Sequence, residues 1–451
     1  MELRSGSDIA DLIGKRAPRY TSYPTAPIFT PNVGQTFQQS CIKAIDADAP
    51  LSLYVHIPFC ERLCWFCACR TQGTQTLAPV RRYVDILGAE LALIRKHLPE
   101  GARFAHLHWG GGTPTILPPE LINRLADEIK SVIPPTDDAE FSVEIDPTLV
   151  DADKIAALRR AGFNRASIGI QDFSPVVQGA IGRNQSYAAT KRAIDMIRDA
   201  GVHSLNVDLV YGLPHQTQES IAASIEQVNT LDPDRVALFG YAHVPWMAKR
   251  QKLIDEAVLP DDVKRRELFQ VAADLLQEAG LCAIGIDHFA KPEDALSVCN
   301  KNGRLRRNFQ GYTDDDCQTL IGLGASSISR FPQGYVQNSS ATGAYTGKIE
   351  AGELPGFRGH VLTKDDALRG RAIEMLMCDF AIDFEGLRSE IGPDADQLKP
   401  LHCAVADRFP NHVSLDAERL TIQPCHRAFT RVIAAMYDAY KAAEATYSQA
   451  S

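Results

Sequence analysis

Four of the eleven cysteines fall within ten residues, in the stretch Tyr54-Val-His-Ile-Pro-Phe-Cys60-Glu-Arg-Leu-Cys64-Trp-Phe-Cys67-Ala-Cys69. The spacing is C-x3-C-x2-C-x-C, directly after Leu51 to Ile57, an apolar run rich in β-branched and aromatic residues that predicts a buried strand. Thiolates are soft metal ligands, and so dense a set at a strand end exceeds what packing requires. Ordinary buried thiols and a structural zinc site are the alternatives to a cluster. Zinc ribbons and knuckles usually supply two ligand pairs separated by a longer loop. No second C-x2-C pair exists in this chain.

Other residues with chemical potential recur at comparable places. Gly110-Gly-Gly-Thr113 is a turn that exposes main chain to a ligand, because no side chain intervenes. Glu144, Gln171 and Asp208 each stand at or near the end of an apolar run. Gly322-Leu-Gly324 is a second glycine-rich turn. It follows no clear strand and lacks the acidic residue of a dinucleotide fold. No G-x4-G-K-[ST] phosphate loop occurs.

The elements that must position these groups alternate regularly. Strands are expected at 104–109, 141–145, 165–170, 204–210, 235–241 and 283–287. Helices are expected at 80–98, 120–132, 153–161, 187–200, 218–231 and 261–279. Short links between β-α units imply a parallel sheet with right-handed crossovers. Six or seven such units predict an α/β fold with a partial or full (β/α) barrel; a doubly wound open sheet is the other architecture considered. The chemically distinctive residues share the strand carboxyl ends, the face that carries active sites in barrels.

Around Pro355 the pattern changes. Thr363-Lys-Asp-Asp366 predicts a capping box opening a helix to Cys378. Val413–Leu415 and Leu420–Ile422 predict a hairpin, and Phe429, Val432, Ile433, Met436, Tyr437 and Tyr440 mark one face of a last helix. We therefore expect an extended N-terminal segment (1–45) packing on the barrel, a catalytic barrel (46–354), and a smaller, mainly helical, winged-helix-like domain (355–451). Arg16 to Pro27, rich in proline and aromatics, reads either as a surface strap or as a segment reaching the active-site mouth.

A formal net charge of −9 argues against broad nucleic-acid binding. Residues 1–16 carry no apolar signal core, and no apolar run is long enough to cross a bilayer, so a cytoplasmic protein is expected. The remaining seven cysteines (41, 282, 299, 317, 378, 403, 425) then read as free thiols.

The C-x3-C-x2-C core resembles the signature of the radical S-adenosylmethionine (SAM) superfamily, in which an aromatic residue such as Phe66 often precedes the third cysteine. That resemblance implies three thiolates on three irons of a [4Fe-4S] cluster. The fourth iron is left to chelate SAM, whose reductive cleavage yields a 5'-deoxyadenosyl radical.

The motifs together resemble the oxygen-independent coproporphyrinogen III dehydrogenase family. The resemblance is densest at Tyr54 to Cys69, His108-Trp-Gly-Gly-Gly-Thr-Pro-Thr115, Asn206-Val-Asp-Leu-Val-Tyr-Gly-Leu-Pro214, Gly285-Ile-Asp-His-Phe-Ala290 and Arg307-Asn-Phe-Gln-Gly-Tyr-Thr313. It starts at Arg19-Tyr-Thr-Ser-Tyr-Pro-Thr-Ala26 and is weakest after Gly386, where Gln423-Pro-Cys-His426 departs from the pattern. Ala68 replaces a usual glycine.

What the family implies is oxidative decarboxylation of two propionates of coproporphyrinogen III to vinyls, with two SAM molecules in the site. Cys60, Cys64 and Cys67 would ligate the cluster. Tyr54, Gly111, Glu144 and Ile328 would contact the cluster-bound SAM. Phe66, Gly112, Thr113, Gln171, Arg183, Asp208 and Ala242 would contact the second, and Cys69 would serve the chemistry without ligating iron. The partners implied are the porphyrinogen, a low-potential electron donor and an electron acceptor, acting on a monomer. Candidate cations for the substrate's four carboxylates are Arg19, Arg70, Arg304, Arg306 and Arg307. The competing reading is a haem chaperone of the same superfamily; those relatives generally lack a cysteine at the place of Cys69.

Overall fold

The computed structural model describes residues 17–440; the polar stretch 1–16 lies outside them. A helix, α1 (Gln35–Lys43), leads into β1 (Leu51–Ile57). Then follow α2 (Ala78–Arg95), β2 (Phe104–Gly111), α3 (Pro119–Val132), β3 (Pro135–Ile145), α4 (Ala152–Arg160) and β4 (Arg165–Gln171). The series continues with α5 (Tyr187–Asp199), β5 (Ser204–Tyr211), α6 (Gln218–Asn229), β6 (Arg235–Gly240) and α7 (Asp262–Glu278). Strands β1 to β6 are parallel and lie in sequence order. A doubly wound sheet would reverse its strand order partway; this one does not.

Alternation along each strand separates two environments. Leu53, Val55, Leu107, Trp109, Phe141, Val143, Ala166, Ile168, Leu205 and Val207 join the main hydrophobic core with the buried faces of the helices. The intervening residues face one another across the concave side. Tyr54 stacks on His108 at 5.8 Å between ring centroids. His108 Nδ1 lies 2.5 Å from Ser142 Oγ. Asn206 donates to Ser167 Oγ at 3.0 Å and to Asp208 at 2.9 Å. The interior of the curved sheet is therefore polar, which suits a ligand-bearing chamber.

The parallel run stops at six units. The expected strand at 283–287 is instead an antiparallel hairpin, β7 (Cys282–Ile284) and β8 (His288–Ala290), because Gly285 turns the chain back with φ +55°. β8 pairs with β6 antiparallel. On the other flank, β9 (Leu320–Leu323) adds a further parallel strand beside β1. Gly322, read from sequence as part of an unanchored turn, lies within it. A four-residue strand holding a glycine has no periodicity to detect and is defined by its pairing. β10 (Ile328–Phe331), β11 (Gly334–Asn338) and β12 (Gly356–Val361) then complete an open twelve-stranded sheet, ordered β12-β11-β10-β9-β1-β2-β3-β4-β5-β6-β8-β7. Of the barrel forms expected, this is the partial one. The mixed edges need wide pairing partners, which sequence patterns do not reveal. Buried Glu90 on α2 anchors that flank: it accepts from Gly324 N (2.8 Å), Asn338 Nδ2 (2.9 Å) and Tyr345 Oη (2.6 Å).

The amino end of the barrel is plugged by the loop 314–319. Ser52 donates to Asp315 at 2.5 Å, and His106 approaches the same carboxylate at 3.7 Å. Arg235 pairs with Asp294 at 2.6 Å and faces Asp314 at 3.7 Å, while Arg165 pairs with Glu140 at 2.8 Å.

A second hydrophobic cluster holds the C-terminal residues. The capping box forms as expected: Thr363 Oγ1 accepts from Asp366 N at 3.0 Å, and the Asp366 carboxylate accepts from Thr363 N at 2.9 Å, opening α8 (Lys364–Asp379). Val413–Leu415 and Arg419–Ile422 form the expected hairpin. The last helix is shorter than its apolar face suggested: Pro424–Phe429 is a 3-10 turn and only Thr430–Ala434 is α-helical. Two parts of the N-terminal segment depart from simple extension on a barrel. Residues 35–43 are helical, with Cys41 and Ile42 in the main core. Ala17, Tyr20 and Tyr23 lie in the C-terminal cluster with Leu376, Ile433 and Tyr437. All eleven cysteines are free. Among the described residues no helix is long and apolar enough to cross a membrane.

Candidate active site

The cysteine loop leaves β1 through Pro58. Its ends are tied where Phe59–Cys60 pairs in parallel with Gln72–Gly73. Its body is held from two sides. Trp65 N donates to Ile181 O at 2.8 Å, and Arg62 donates to Asn184 O at 3.0 Å. From beyond β6, Gln251 donates to Phe66 O at 2.7 Å and Arg250 to Thr71 Oγ1 at 2.7 Å. Gln251 is fully buried and also bonds Ala242 O at 3.0 Å, so the segment after β6 clasps the loop.

This arrangement points the loop across the carboxyl ends of the strands, over a cavity of about 540 Å³. Cys60, Cys64, Cys67 and Cys69 line it, as do Phe66, Gly111, Gly112, Thr113, Glu144, Gln171, Arg183, Asp208 and Ala242. Ala17, Pro18 and Arg19 also reach it, so the N-terminal segment does extend to the mouth. Tyr54 and Ile328 are off the wall. Tyr54 is midway along β1, its hydroxyl 3.0 Å from His56 Nδ1. Ile328 opens β10 beyond β9.

The thiols differ. Cys67 accepts from the Cys69 thiol and from its N–H at 3.4 Å, which outweighs burial and draws Cys67 down to about 6. Cys69, donating to that incipient thiolate, is pushed up. Burial pushes Cys60 up to about 11 despite its bond with Thr113. Arg183 Nη1 stands 3.4 Å from Cys64 Sγ, while its other nitrogens bond Gly169 O (2.7 Å) and Gln185 Oε1 (3.0 and 2.6 Å).

Three carboxylates, Glu144, Asp146 and Asp208, line the cavity with the thiols. Glu144 accepts from Gly111 N at 3.0 Å, with His108 Nε2 3.4 Å away. Burial first, then the charge of Glu144, raises Asp208 to about 6 against its bonds from Asn206 and Ser167. Gln171 ends β4 with φ +72°, a left-handed conformation costly for a side chain other than glycine and concentrated at functional sites. At Gly112 an added Cβ would sit 2.6 Å from Phe59 O, so the glycine turn can pass beneath the cysteine loop only without a side chain.

The set fits a cluster with an open iron. Three half-buried free thiols, one drawn toward its thiolate, share a cavity with main-chain and carboxylate groups able to hold an amino acid and a ribose. Sequence reasoning missed Gln185, Arg250 and Gln251, which position others and carry no motif. It also missed His56, His108 and Ser167; their alternation with apolar residues was the available signal.

An iron–sulfur, SAM-using barrel enzyme is the class that these features define, and the Radical SAM superfamily model matches residues 54–228. The chain is 59% identical over 441 residues to coproporphyrinogen III oxidase, anaerobic 1, of Cereibacter sphaeroides, covering 98% of each. It is 53% identical to oxygen-independent coproporphyrinogen III oxidase of Paracoccus denitrificans over the full length of both. The solved coproporphyrinogen III oxidase of Escherichia coli, a radical SAM enzyme, superposes with a TM-score of 0.89 at 35% identity, covering 94% of this chain and 98% of that one. The chain thus belongs to the oxygen-independent coproporphyrinogen III oxidase family, whose cofactors are a [4Fe-4S] cluster and SAM.

Proposed function

We propose that the chain converts coproporphyrinogen III to protoporphyrinogen IX in porphyrin biosynthesis by oxidatively decarboxylating two propionates to vinyls. The observation that carries this reading is the convergence of Cys60, Cys64 and Cys67 with Glu144 and Asp208 on one cavity, in a chain matched end to end by coproporphyrinogen oxidases. When bound, cluster and SAM supply a radical that removes a hydrogen atom from the propionate β-carbon; carbon dioxide and one electron then leave, and the alkene remains.

The protein's own part is placement. Cys60, Cys64 and Cys67 hold the cluster. The Gly111 main chain and Glu144 take the SAM at the cluster. Tyr54 joins them at that SAM: Arg70 O can only accept, so His56 Nε2–H donates to it at 2.9 Å and Nδ1 takes the Tyr54 proton. That chain ties β1 to the end of the cysteine loop, with Ile328 completing the flank. Phe66, Gly112, Thr113, Gln171, Arg183, Asp208 and Ala242 hold a second SAM; the Arg183 guanidinium suits its carboxylate and Asp208 its ammonium or ribose. Cys69 acts in turnover rather than as a ligand. A low-potential donor supplies the cluster's electron and an acceptor removes the substrate's, in a cytoplasmic monomer.

The experiment is an anaerobic assay of reconstituted protein with coproporphyrinogen III, SAM and a low-potential reductant. Protoporphyrinogen IX, methionine and 5'-deoxyadenosine are expected together, two SAM per product. Tight haem binding without decarboxylation, where SAM is cleaved, would favour the chaperone function.

A further inference from the structure

Beside the radical cavity lies a second one, of about 410 Å³, between the carboxyl end of β6, the hairpin β7–β8 and the C-terminal residues 424–431. The two cavities share Arg19, Gly240 and Tyr241. In a chain of net charge −9, this chamber is lined by Arg19, Arg265, Arg266, Arg307, Arg427 and Arg431, with Asp287 its lone carboxylate. Its remaining wall includes Phe269, Ile286, Phe289 and Tyr241, flat or apolar surface between the cations.

Two of these arginines are held against aromatic rings and keep a nitrogen without a hydrogen bond. Arg307 lies over the Tyr312 ring at 4.4 Å and touches Arg19 O at 3.4 Å. Arg265 stacks on Tyr211 at 5.6 Å. Both residues are only 7% exposed, yet Arg307 Nη1 and Arg265 Nε have no hydrogen-bond partner among the described residues. Arg307 Nη1 is 4.0 Å from Asp287, which already pairs with His288 at 2.7 Å. Burial would raise Asp287, but His288, Arg307 and Arg19 draw it down to about 2. Burial and then repulsion from Arg19 push Arg431 down to about 9. Buried cations that repel one another favour entry of anions, and guanidinium forks match carboxylates in geometry.

We propose that this arginine chamber anchors the propionate carboxylates of the tetrapyrrole that are not under attack, so that a reacting propionate crosses the junction at Arg19 into the radical cavity. The proposal rests on the decarboxylase reading above and adds its substrate-orienting site. It explains why the N-terminal segment and the C-terminal residues share one core: Arg431 donates to Pro18 O at 3.0 Å and to Ala17 O, so packing of the two chain ends sets Arg19 between the cavities. Of the five cations expected from sequence, Arg19 and Arg307 are in the chamber. Arg306 is paired with Glu374 at 3.3 Å, Arg70 bonds Ser340 O at 3.0 Å, and Arg304 is exposed elsewhere.

The test titrates the anaerobically reconstituted full chain with coproporphyrin III, the stable oxidised form of the substrate, and with its tetramethyl ester. Wild type should bind the tetra-acid and bind the ester far more weakly. Arg307→Gln should weaken the tetra-acid by on the order of tenfold to a hundredfold, as expected for loss of a charged hydrogen bond, without changing ester or SAM binding. Arg307 is buried and its variant could misfold, so Arg19→Ala and Arg427→Ala, at exposed positions, are measured beside it with iron content as the folding control. Unchanged tetra-acid affinity in folded Arg19→Ala and Arg427→Ala, with wild type making protoporphyrinogen, overturns the chamber and leaves the decarboxylase. Arginine-dependent binding with no wild-type turnover overturns the decarboxylase and leaves a carboxylate-binding chamber.

Discussion

The two ends of the barrel are built from the same kinds of residue and use them oppositely. At the amino end the charges are matched in pairs: Arg165 with Glu140 at 2.8 Å and Arg235 with Asp294 at 2.6 Å, while Ser52 bonds Asp315 at 2.5 Å. At the carboxyl end Glu144 and Asp208 face the same cavity, Asp208 with its pKa raised, beside four thiols of which Cys67 and Cys69 bond to each other. Paired polar groups in a packed interior close a fold; groups kept in a costly ionisation state and turned to a cavity await a ligand. The contrast separates stability from function along one set of strands, and substitutions at the two ends should separate in the same way.

The largest effect belongs to the open end. Cys64→Ser should abolish iron and sulfide binding and reduce protoporphyrinogen formation to background while the apoprotein stays folded by circular dichroism. The second acts at the closed end. Arg235 and Asp294 side chains are only 9% and 8% exposed, so Arg235→Ala strands a buried carboxylate and should cost about 3–5 kcal/mol in denaturant unfolding, with normal SAM affinity below the melting temperature. Lost SAM binding in folded Arg235→Ala would break the division of roles.

Asp208→Asn sharpens the comparison because it should move stability and function in opposite directions. The folded carboxyl titrates near 6, above its ordinary 3.8. Stability from this group is therefore fully present below about pH 4 and is lost as pH rises through 6, a cost of at most about 3 kcal/mol at neutral pH. Asp208→Asn should accordingly stabilise the apoprotein at pH 7 and weaken SAM binding. Wild-type SAM affinity should fall as pH drops through 6, and the variant's should not; a pH-dependent variant would assign the titration to another group. The smallest effect is Ser52→Ala, which removes one donor to Asp315: about 1–2 kcal/mol of stability with unchanged turnover, measured by thermal melts beside the assay.

Much of the barrel was legible because its units are local. Periodic helices and apolar strands from Leu51 to Tyr241 repeat within short spans, and the cysteine spacing is contiguous. What escaped the sequence depends on distant partners. β9 is a strand because β1 lies beside it, and Gly285 turns a presumed strand into a hairpin. The amino-end plug draws on Ser52, Glu140, Arg235 and Asp315, which carry no joint pattern. The arginine chamber gathers residues from Arg19 to Arg431, so sequence could mark Arg19 and Arg307 as candidates but could not exclude Arg70 and Arg304 or add Arg265. Tyr54 and Ile328 illustrate a finer limit: a motif places a residue on a strand, while the residues around it set its distance from the cavity wall.

The central claim is that the open end holds its cluster with three thiols and leaves one iron for SAM. Cys69 is two residues beyond Cys67, lines the same cavity and donates to the Cys67 thiolate, so it is the group best placed to contradict that count. Iron, sulfide and SAM binding, measured together with product in Cys69→Ser beside Cys64→Ser, test it directly. The account predicts wild-type iron, sulfide and SAM binding in Cys69→Ser with little protoporphyrinogen formed. Loss of iron in Cys69→Ser to the level of Cys64→Ser would make Cys69 a fourth ligand and contradict the open site.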